Sequence, residues 1–304
     1  MRTVTLGGSP LKVSRLAYGC WRLSGSGVDG ARAVRAAVEA GFTLFDHADI
    51  YGGGVCEEVF GGVMKESPEL RERLVIANKC GIRLPHLGGA GEPYRYDSRA
   101  GHIVTSCEDS LRRLHVEKID LYQIHRPDFL THPEEVARAF DQLARAGKVM
   151  EFGVSNFRPS QVAALQRACP MRLRVNQVEF SLLQRAPLHD GVLDQCLAEN
   201  MTPLAWSPLG GGQLADGAGD LLRSQREYQP QRVLPLLDEM AARHGVSRSG
   251  IALAWLLKHP AGVVPIVGTT NEARIGDAIQ AESIELSREE WYALLTAAEP
   301  EPLS

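Results

Sequence analysis

The sequence predicts an α/β fold: a (β/α)8 barrel with an N-terminal hairpin capping the barrel floor and an extra C-terminal helix. Three observations predict it. Short strand-type runs alternate with helix-type periodicity almost from end to end, eight such runs occur, and no linker interrupts them. Eight unbroken β-to-α units favour a closed barrel over a doubly wound open sheet. The open sheet is the competing architecture, but its G-x-G-x-x-G turn after the first strand is missing, because the glycines of "YGCWRLSGSG" stand too far from the strand. At 304 residues the chain suits one domain spanning 1–304, since barrels of this kind reach about 250 residues or more.

The elements follow in order. "VTLGGSPLKVS" reads as the hairpin and "LAYGC" as the first barrel strand. A helix over about 29 to 40 is capped by Asp29, carries Val34, Ala37 and Val38 on one face, and ends at Gly41. "FTLFD" is the second strand; a short helix near 57 to 65 leads to "LVIANK". From about 102, Ile103, Cys107, Leu111 and Leu114 form one stripe of a helix, and "IDLYQIH" is the fourth strand. Pro133 opens the next helix, with Glu134 and Glu135 in its first turn and Gly147 at its stop. "MEFGVS", a helix from Pro159, "LRVNQVEF", a helix near 188 to 199, "TPLAWS", one helical region from 231 to 258, and "GVVPIVG" complete the eight strands. A last β-to-α step starts at Asn271, and Ser287 with Glu290 forms a capping box for the outer C-terminal helix.

Composition excludes several classes of function. A net charge of -4 with no long run of like charge argues against nucleic acid and against a basic membrane surface. No stretch reaches the ~18 apolar residues of a membrane span, and the first residues lack a signal-peptide core, so a cytoplasmic address and small-molecule partners are expected. Six scattered cysteines without a C-x-x-C pair suggest neither a zinc cage nor a disulfide framework.

In a barrel, the C-terminal strand ends and the loops beyond them build the active site. Asp46 ends strand 2, Lys79 strand 3 and His125 strand 4, while Tyr51 lies in the loop leaving strand 2. Adjacent strands stand ~4.8 Å apart, so the four side chains can meet. Their chemistry suits proton donation to a carbonyl. A free phenol titrates near ~10. A lysine cation about 4 Å away, at an effective dielectric of ~20, favours phenolate by up to ~4 kcal/mol before screening, which lands near neutrality. Asp46 would keep the lysine charged against burial, and neutral His125 would orient the carbonyl oxygen. The competing reading of "DHAD" is a hydrolytic metal centre with His47, Asp49 and His125 as ligands. It is weakened because the first strand has no H-x-H end and because Asp46, His47 and Asp49 cannot share one face of extended chain.

With that tetrad assembled, the chain resembles the aldo-keto reductase family nearly throughout. The likeness rests on "GCW", "FDHADIYG", "KCGI", "IDLYQIHRP", "GKVMEFGVSNF", "NQVEFS", "AWSPLGGG" and "PIVGTT", and is greatest to a bacterial oxidoreductase branch that also reads "FDHADIYGG" and "HRPD". The resemblance implies a (β/α)8 barrel that reduces aldehydes or ketones with NADPH, with Tyr51 as general acid, Lys79 and Asp46 tuning it, and His125 orienting the substrate. Hydride must come from a nicotinamide cofactor, because no protein side chain supplies it.

By the same resemblance Ser155, Asn156 and Gln177 hold the carboxamide, and Trp206 stacks on the nicotinamide where many members have tyrosine. Ser207, Pro208, Leu209 and Gly211 belong to a pyrophosphate loop, and Trp21 also counts among the cofactor contacts. Gly268, Thr270 and Arg274 match the surroundings of the adenosine 2'-phosphate, with Asp277 near the adenine. Members with "PKS" carry a lysine where Gly268 stands, so one cation is lost; Arg274 still favours NADPH over NADH. The long segment "GIRLPHLGGAGEPYRYDSRAGHI" is read as a mouth loop, with Trp21, Tyr94 and Tyr96 as an apolar wall and Arg95 or Arg99 receiving an anionic group. The expected substrate is a small aldehyde. The alternative is an NADPH-binding regulatory or redox-sensing subunit with slow turnover. Oligomeric state is not legible in the sequence.

Overall fold

The computed structural model describes residues 1–25, 27–85, 91–215 and 221–299. A hairpin of β1 (Thr3–Thr5) and β2 (Lys12–Ser14) precedes β3 (Ala17–Gly19), α1 (Gly27–Glu39), β4 (Leu44–Asp46) and α2 (Val55–Glu66). Next come β5 (Val75–Cys80), a small antiparallel pair β6 (Ile82–Arg83) and β7 (Arg95–Tyr96), α3 (Ala100–Leu114), β8 (Ile119–Ile124) and α4 (Pro133–Arg145). The repeat continues through β9 (Val149–Ser155), α5 (Pro159–Ala168), β10 (Leu173–Glu179), α6 (Val192–Ala198) and β11 (Thr202–Trp206). Helices α7 (Leu234–His244) and α8 (Arg248–Leu257) lead to β12 (Val264–Val267), α9 (Glu272–Ile279) and α10 (Arg288–Ala298). Strands β3, β4, β5, β8, β9, β10, β11 and β12 pair in parallel in that order, and β12 closes on β3. This is the predicted (β/α)8 barrel.

Period-two alternation divides each strand between two cores. Tyr18, Phe45, Ile76, Tyr122 and Phe152 point outward into the shell beneath the helices. Ala17, Leu44, Ala77, Leu121, Val175, Leu204 and Val264 point inward and meet Leu6, Leu11 and Val13 of the hairpin segment. The hairpin is therefore the floor of the barrel. Two residues further along, the same inward rows carry Asp46 after Leu44, Lys79 after Ala77, Gln123 after Leu121 and Gln177 after Val175. An apolar layer thus lies directly beneath a polar one. Among the described residues no helix is long and apolar enough to cross a membrane.

Several boundaries differ from expectation. Helix α1 begins at Gly27, so Asp29 lies inside its first turn instead of capping it. The region from 231 to 258 is two helices, because the chain turns left-handed at Gly245 and Ser247 restarts it by accepting from the Gly250 N–H at 3.0 Å. The helix near 188 to 199 shrinks to α6 behind one 3-10 turn, Ala186–Leu188. The capping box of Ser287 and Glu290 is present as expected. The mouth loop holds β6 and β7, and its residues 86–90 lie outside the described residues.

Leu6 is wholly buried against the inward layer. Leu6→Ala should lower unfolding free energy by about 2–5 kcal/mol through the cavity it leaves, with the far-UV spectrum unchanged. Equilibrium denaturation reads this directly, and an unshifted midpoint would remove the hairpin from the core.

Candidate active site

The polar layer is built around one ion pair. Lys79 Nζ donates to both oxygens of Asp46, at 2.8 and 2.7 Å, with the two side chains 0% and 3% exposed. Gln177 Nε2 donates to Asp46 Oδ1 as well, at 2.8 Å. Burial pushes the lysine toward losing its proton, and the bidentate carboxylate opposes this. Tyr51 opens the 3-10 turn after β4; Lys79 Nζ lies 5.2 Å from its ring centre. The rings of Tyr51 and His125 meet edge to face at 6.0 Å and 83°. The four residues predicted from strand ends therefore come together.

Their electrostatics differ from the expectation on one point. The Tyr51 phenol is driven well above its ordinary value, by burial first and then by the negative charge of Asp46, with Arg126 opposing. It is not brought toward neutrality by Lys79. The physical reason is that the lysine charge is neutralised by a carboxylate gripping it with two bonds, and that carboxylate also faces the phenol. His125 is held well below the usual imidazole range by burial, then by Lys79 and Arg126, so its ring is neutral, and its buried Nδ1 has no partner. The resting site thus contains a protonated phenol, a neutral imidazole and a compensated ion pair. That combination can donate two hydrogen bonds to one oxygen and give up one proton.

His47 does not join this centre. It packs edge-on against Phe60 at 4.5 Å in the outer shell, both ring nitrogens buried without partners. The rival "DHAD" reading loses one of its three ligands by that outward turn. Gln123, in register with Lys79, is fully buried with both amide atoms unpaired. The inward row through Leu121 marked it, but nothing in its residue type did.

The second half of the site lies across β9, β10 and β11. Trp206 Nε1 donates to Asn156 Oδ1 at 3.0 Å, and Asn156, in a left-handed conformation, donates from Nδ2 to the His125 carbonyl at 3.1 Å and to Ser155 Oγ at 2.8 Å. Ser155 Oγ donates to the Gln177 carbonyl at 2.9 Å. Asn156 is thus committed to fixing the indole and the loop of His125, while Gln177 Oε1 has no hydrogen-bond donor among the described residues. A flat indole locked at its N–H edge, with a free amide oxygen nearby, fits one end of a nicotinamide.

The loop Ser207–Leu209 and Gly211 is held from below by Gln225, whose Nε2 donates to Ser207 Oγ at 3.0 Å and to Glu179 Oε1 at 2.7 Å. Gly210 and Gly212 use their N–H groups on Ser207 and Leu209 carbonyls, so the loop offers fewer free donors than its glycines imply. Pro208 lies between these anchors. Beyond β12, a Cβ on Gly268 would stand 2.8 Å from Trp21 Nε1. A lysine at Gly268 would expel that indole. Trp21, covered by Arg22 at 4.6 Å, therefore belongs to the Gly268 side; among the described residues no ring contact joins it to the expected wall, where Tyr94 meets Tyr96 and Tyr96 meets Phe129. Thr270 is half-buried and Arg274 exposed, without an ion pair among the described residues, while Asp277 accepts from Ser247 Oγ at 2.5 Å. Arg95 pairs with Glu92 and Arg99 with Asp97, so neither is the free cation expected at the mouth.

Comparison with known proteins agrees with this fold. The Aldo/keto reductase family model matches residues 15–299. A protein named 6-dehydroglucose reductase from Novosphingobium aromaticivorans is 43% identical over 98% of this chain and 96% of its own length. Another of that name from Agrobacterium fabrum is 41% identical over 95% of each. The crystal structure of the glycerol dehydrogenase from Gluconobacter oxydans superposes with a TM-score of 0.86 at 28% identity, covering 99% of this chain and 97% of that one.

Asp49, buried near Glu57, Arg113 and Ser106, gives a pH test. Its carboxyl is pushed up to about 7 by burial and then Glu57, against Arg113 and Ser106. An unfolded aspartate titrates near ~3.9, so between about pH 4 and 7 the native state holds a proton that the unfolded state has lost, and this group lowers stability as pH rises. His47, held down to about 3, has the opposite slope over a partly shared window. The difference between Asp49→Asn and wild type cancels His47. That difference in denaturation midpoint should move in favour of the variant from pH 4 to 7; a pH-independent difference would place Asp49 in solvent.

Proposed function

Since the chain belongs to the aldo/keto reductase family and is a carbonyl-reducing oxidoreductase, we propose that it uses NADPH, with Tyr51 as the proton donor. The observation that carries this reading is the buried Lys79–Asp46 pair beside a protonated phenol that meets a neutral imidazole edge to face. A carbonyl oxygen lodged between Tyr51 and His125 accepts from both. His125 orients it without bringing positive charge, and the phenol delivers its proton as negative charge gathers on the oxygen. The phenolate left behind then faces the Lys79 ammonium, whose favourable field is felt only at that stage.

When bound, the cofactor supplies the hydride. Trp206 would hold its nicotinamide face, Gln177 and Ser155 its carboxamide, and the Ser207–Gly211 loop its pyrophosphate. Thr270 and Arg274 would take the 2'-phosphate and Asp277 would lie near the adenine. The exposed, unpaired Arg274 supports NADPH over NADH, while Gly268 removes the second cation found in other members. The names of the two similar bacterial proteins bring a sugar aldehyde forward as substrate, consistent with a site in which polar groups surround the carbonyl.

Tyr51→Phe removes only the hydroxyl. Fluorescence titration should give equal NADPH affinity in both proteins and weaker NADH binding, while NADPH oxidation with 4-nitrobenzaldehyde should fall by about 10²–10⁴-fold in the variant. Equal turnover would take Tyr51 out of the role of acid.

A further inference from the structure

Arg126 follows His125 directly, yet neither the proton donor nor the cofactor contacts above use it. It is half-buried at the mouth, and its guanidinium lies over the Trp206 ring with Cζ 5.7 Å from the centroid. Among the described residues it has no carboxylate partner. The carboxylates of the mouth take other hydrogen-bond donors. Asp128 accepts from the Ser98 N–H at 2.9 Å, the Leu130 N–H at 3.0 Å and Thr131 Oγ1 at 2.6 Å. Glu179 accepts from Gln225 at 2.7 Å, and Asp97 is gripped by Arg99 at 2.6 and 2.9 Å. It directly follows His125, whose ring meets that of Tyr51, and it covers the Trp206 indole, so it stands beside the groups that would surround the carbonyl.

A guanidinium that is partly desolvated and left without an anion is unusual, because its fork of N–H donors matches two oxygens of a carboxylate or phosphate. Surface arginines need no partner, since water serves them. This one is packed on an indole beside the reacting histidine, and the mouth arginines Arg95 and Arg99 are already neutralised. We propose that Arg126 is a specificity-determining residue that docks an anionic oxygen group of the substrate, so that the enzyme prefers aldehydes carrying a carboxylate or phosphate over their neutral counterparts. This rests on the carbonyl-reducing reading of the site and puts an anionic aldehyde in place of the neutral sugar aldehyde that the names of the relatives bring forward. Tyr94, Tyr96 and Phe129, in ring contact at 5.7 and 6.3 Å, form the apolar shelf opposite.

The test compares kcat/KM within matched pairs: 3-carboxybenzaldehyde against benzaldehyde for carboxylate, and glyceraldehyde 3-phosphate against glyceraldehyde for phosphate. Wild type should prefer the charged member of at least one pair, which identifies the anion, and rising NaCl should erode that preference. In Arg126→Met the preference should fall by about tenfold or more, mainly through KM, with partial recovery in Arg126→Lys. Benzoate binding, followed by tryptophan fluorescence and needing no turnover, should weaken in parallel relative to benzamide. That readout separates failure here from failure of the proton-donor assignment, which Tyr51→Phe addresses alone. A wild type that prefers neither charged aldehyde, a preference that survives Arg126→Met, or an equal decline on both members of each pair would overturn the proposal.

Discussion

The structure of the site depends on a lysine ammonium and an aspartate carboxylate buried together inside a barrel. Removing two charges from water costs several kcal/mol each, and only close geometry with further hydrogen bonds offsets it. Asp46 answers that demand by gripping Lys79 with both oxygens and by accepting from Gln177. The barrel supports the arrangement from below, since Leu44, Ala77, Leu121 and Val175 close the space under the pair and exclude solvent. The pair is therefore a device for keeping a cation available at depth, more than a source of stability.

On the proposed role of Tyr51 as the acid, what that cation does follows from timing. A lone ammonium beside Tyr51 would ionise the phenol in the resting enzyme and destroy the acid needed for reduction. Compensated by Asp46, it leaves the phenol protonated, and burial reinforces this. Its field becomes useful when the proton has moved and a phenolate stands in its place. Interactions that strengthen between ground state and transition state are those that accelerate a reaction. The same logic applies to His125, whose ring stays neutral because it is buried, with Lys79 and Arg126 adding to the effect.

Asp46, Lys79 and His125 were legible in the sequence because a barrel strand has only one C-terminal end and its inward row has period two. The alternation from Leu44 to Asp46 and from Ala77 to Lys79 carries the information. Helix periodicity likewise located most helices, but one apolar pattern from 231 to 258 concealed the break that Gly245 and Ser247 impose. The partners of charged groups were not legible. Arg95, Arg99 and Arg126 look alike as letters, and which one lacks an anion depends on Glu92, Asp97, Asp128 and Glu179 finding their positions. Trp21 was placed with Tyr94 and Tyr96 from its position near a strand end, whereas the absence of a side chain at Gly268 draws it to the other side.

Gln225 shows how the two halves of the site are joined. It is buried at 1% exposure, and one amide nitrogen serves both Glu179, at the end of β10, and Ser207, at the start of the loop after β11. Its own carbonyl accepts from the Gln213 side chain, which also reaches the Gly210 carbonyl. A loop rich in glycine would otherwise sample many conformations, and ordering it on binding would subtract from affinity. By tying Ser207 and Gly210 to a strand end, Gln225 lowers that cost before any ligand arrives. One buried glutamine thus preorganises the loop from the end of β10.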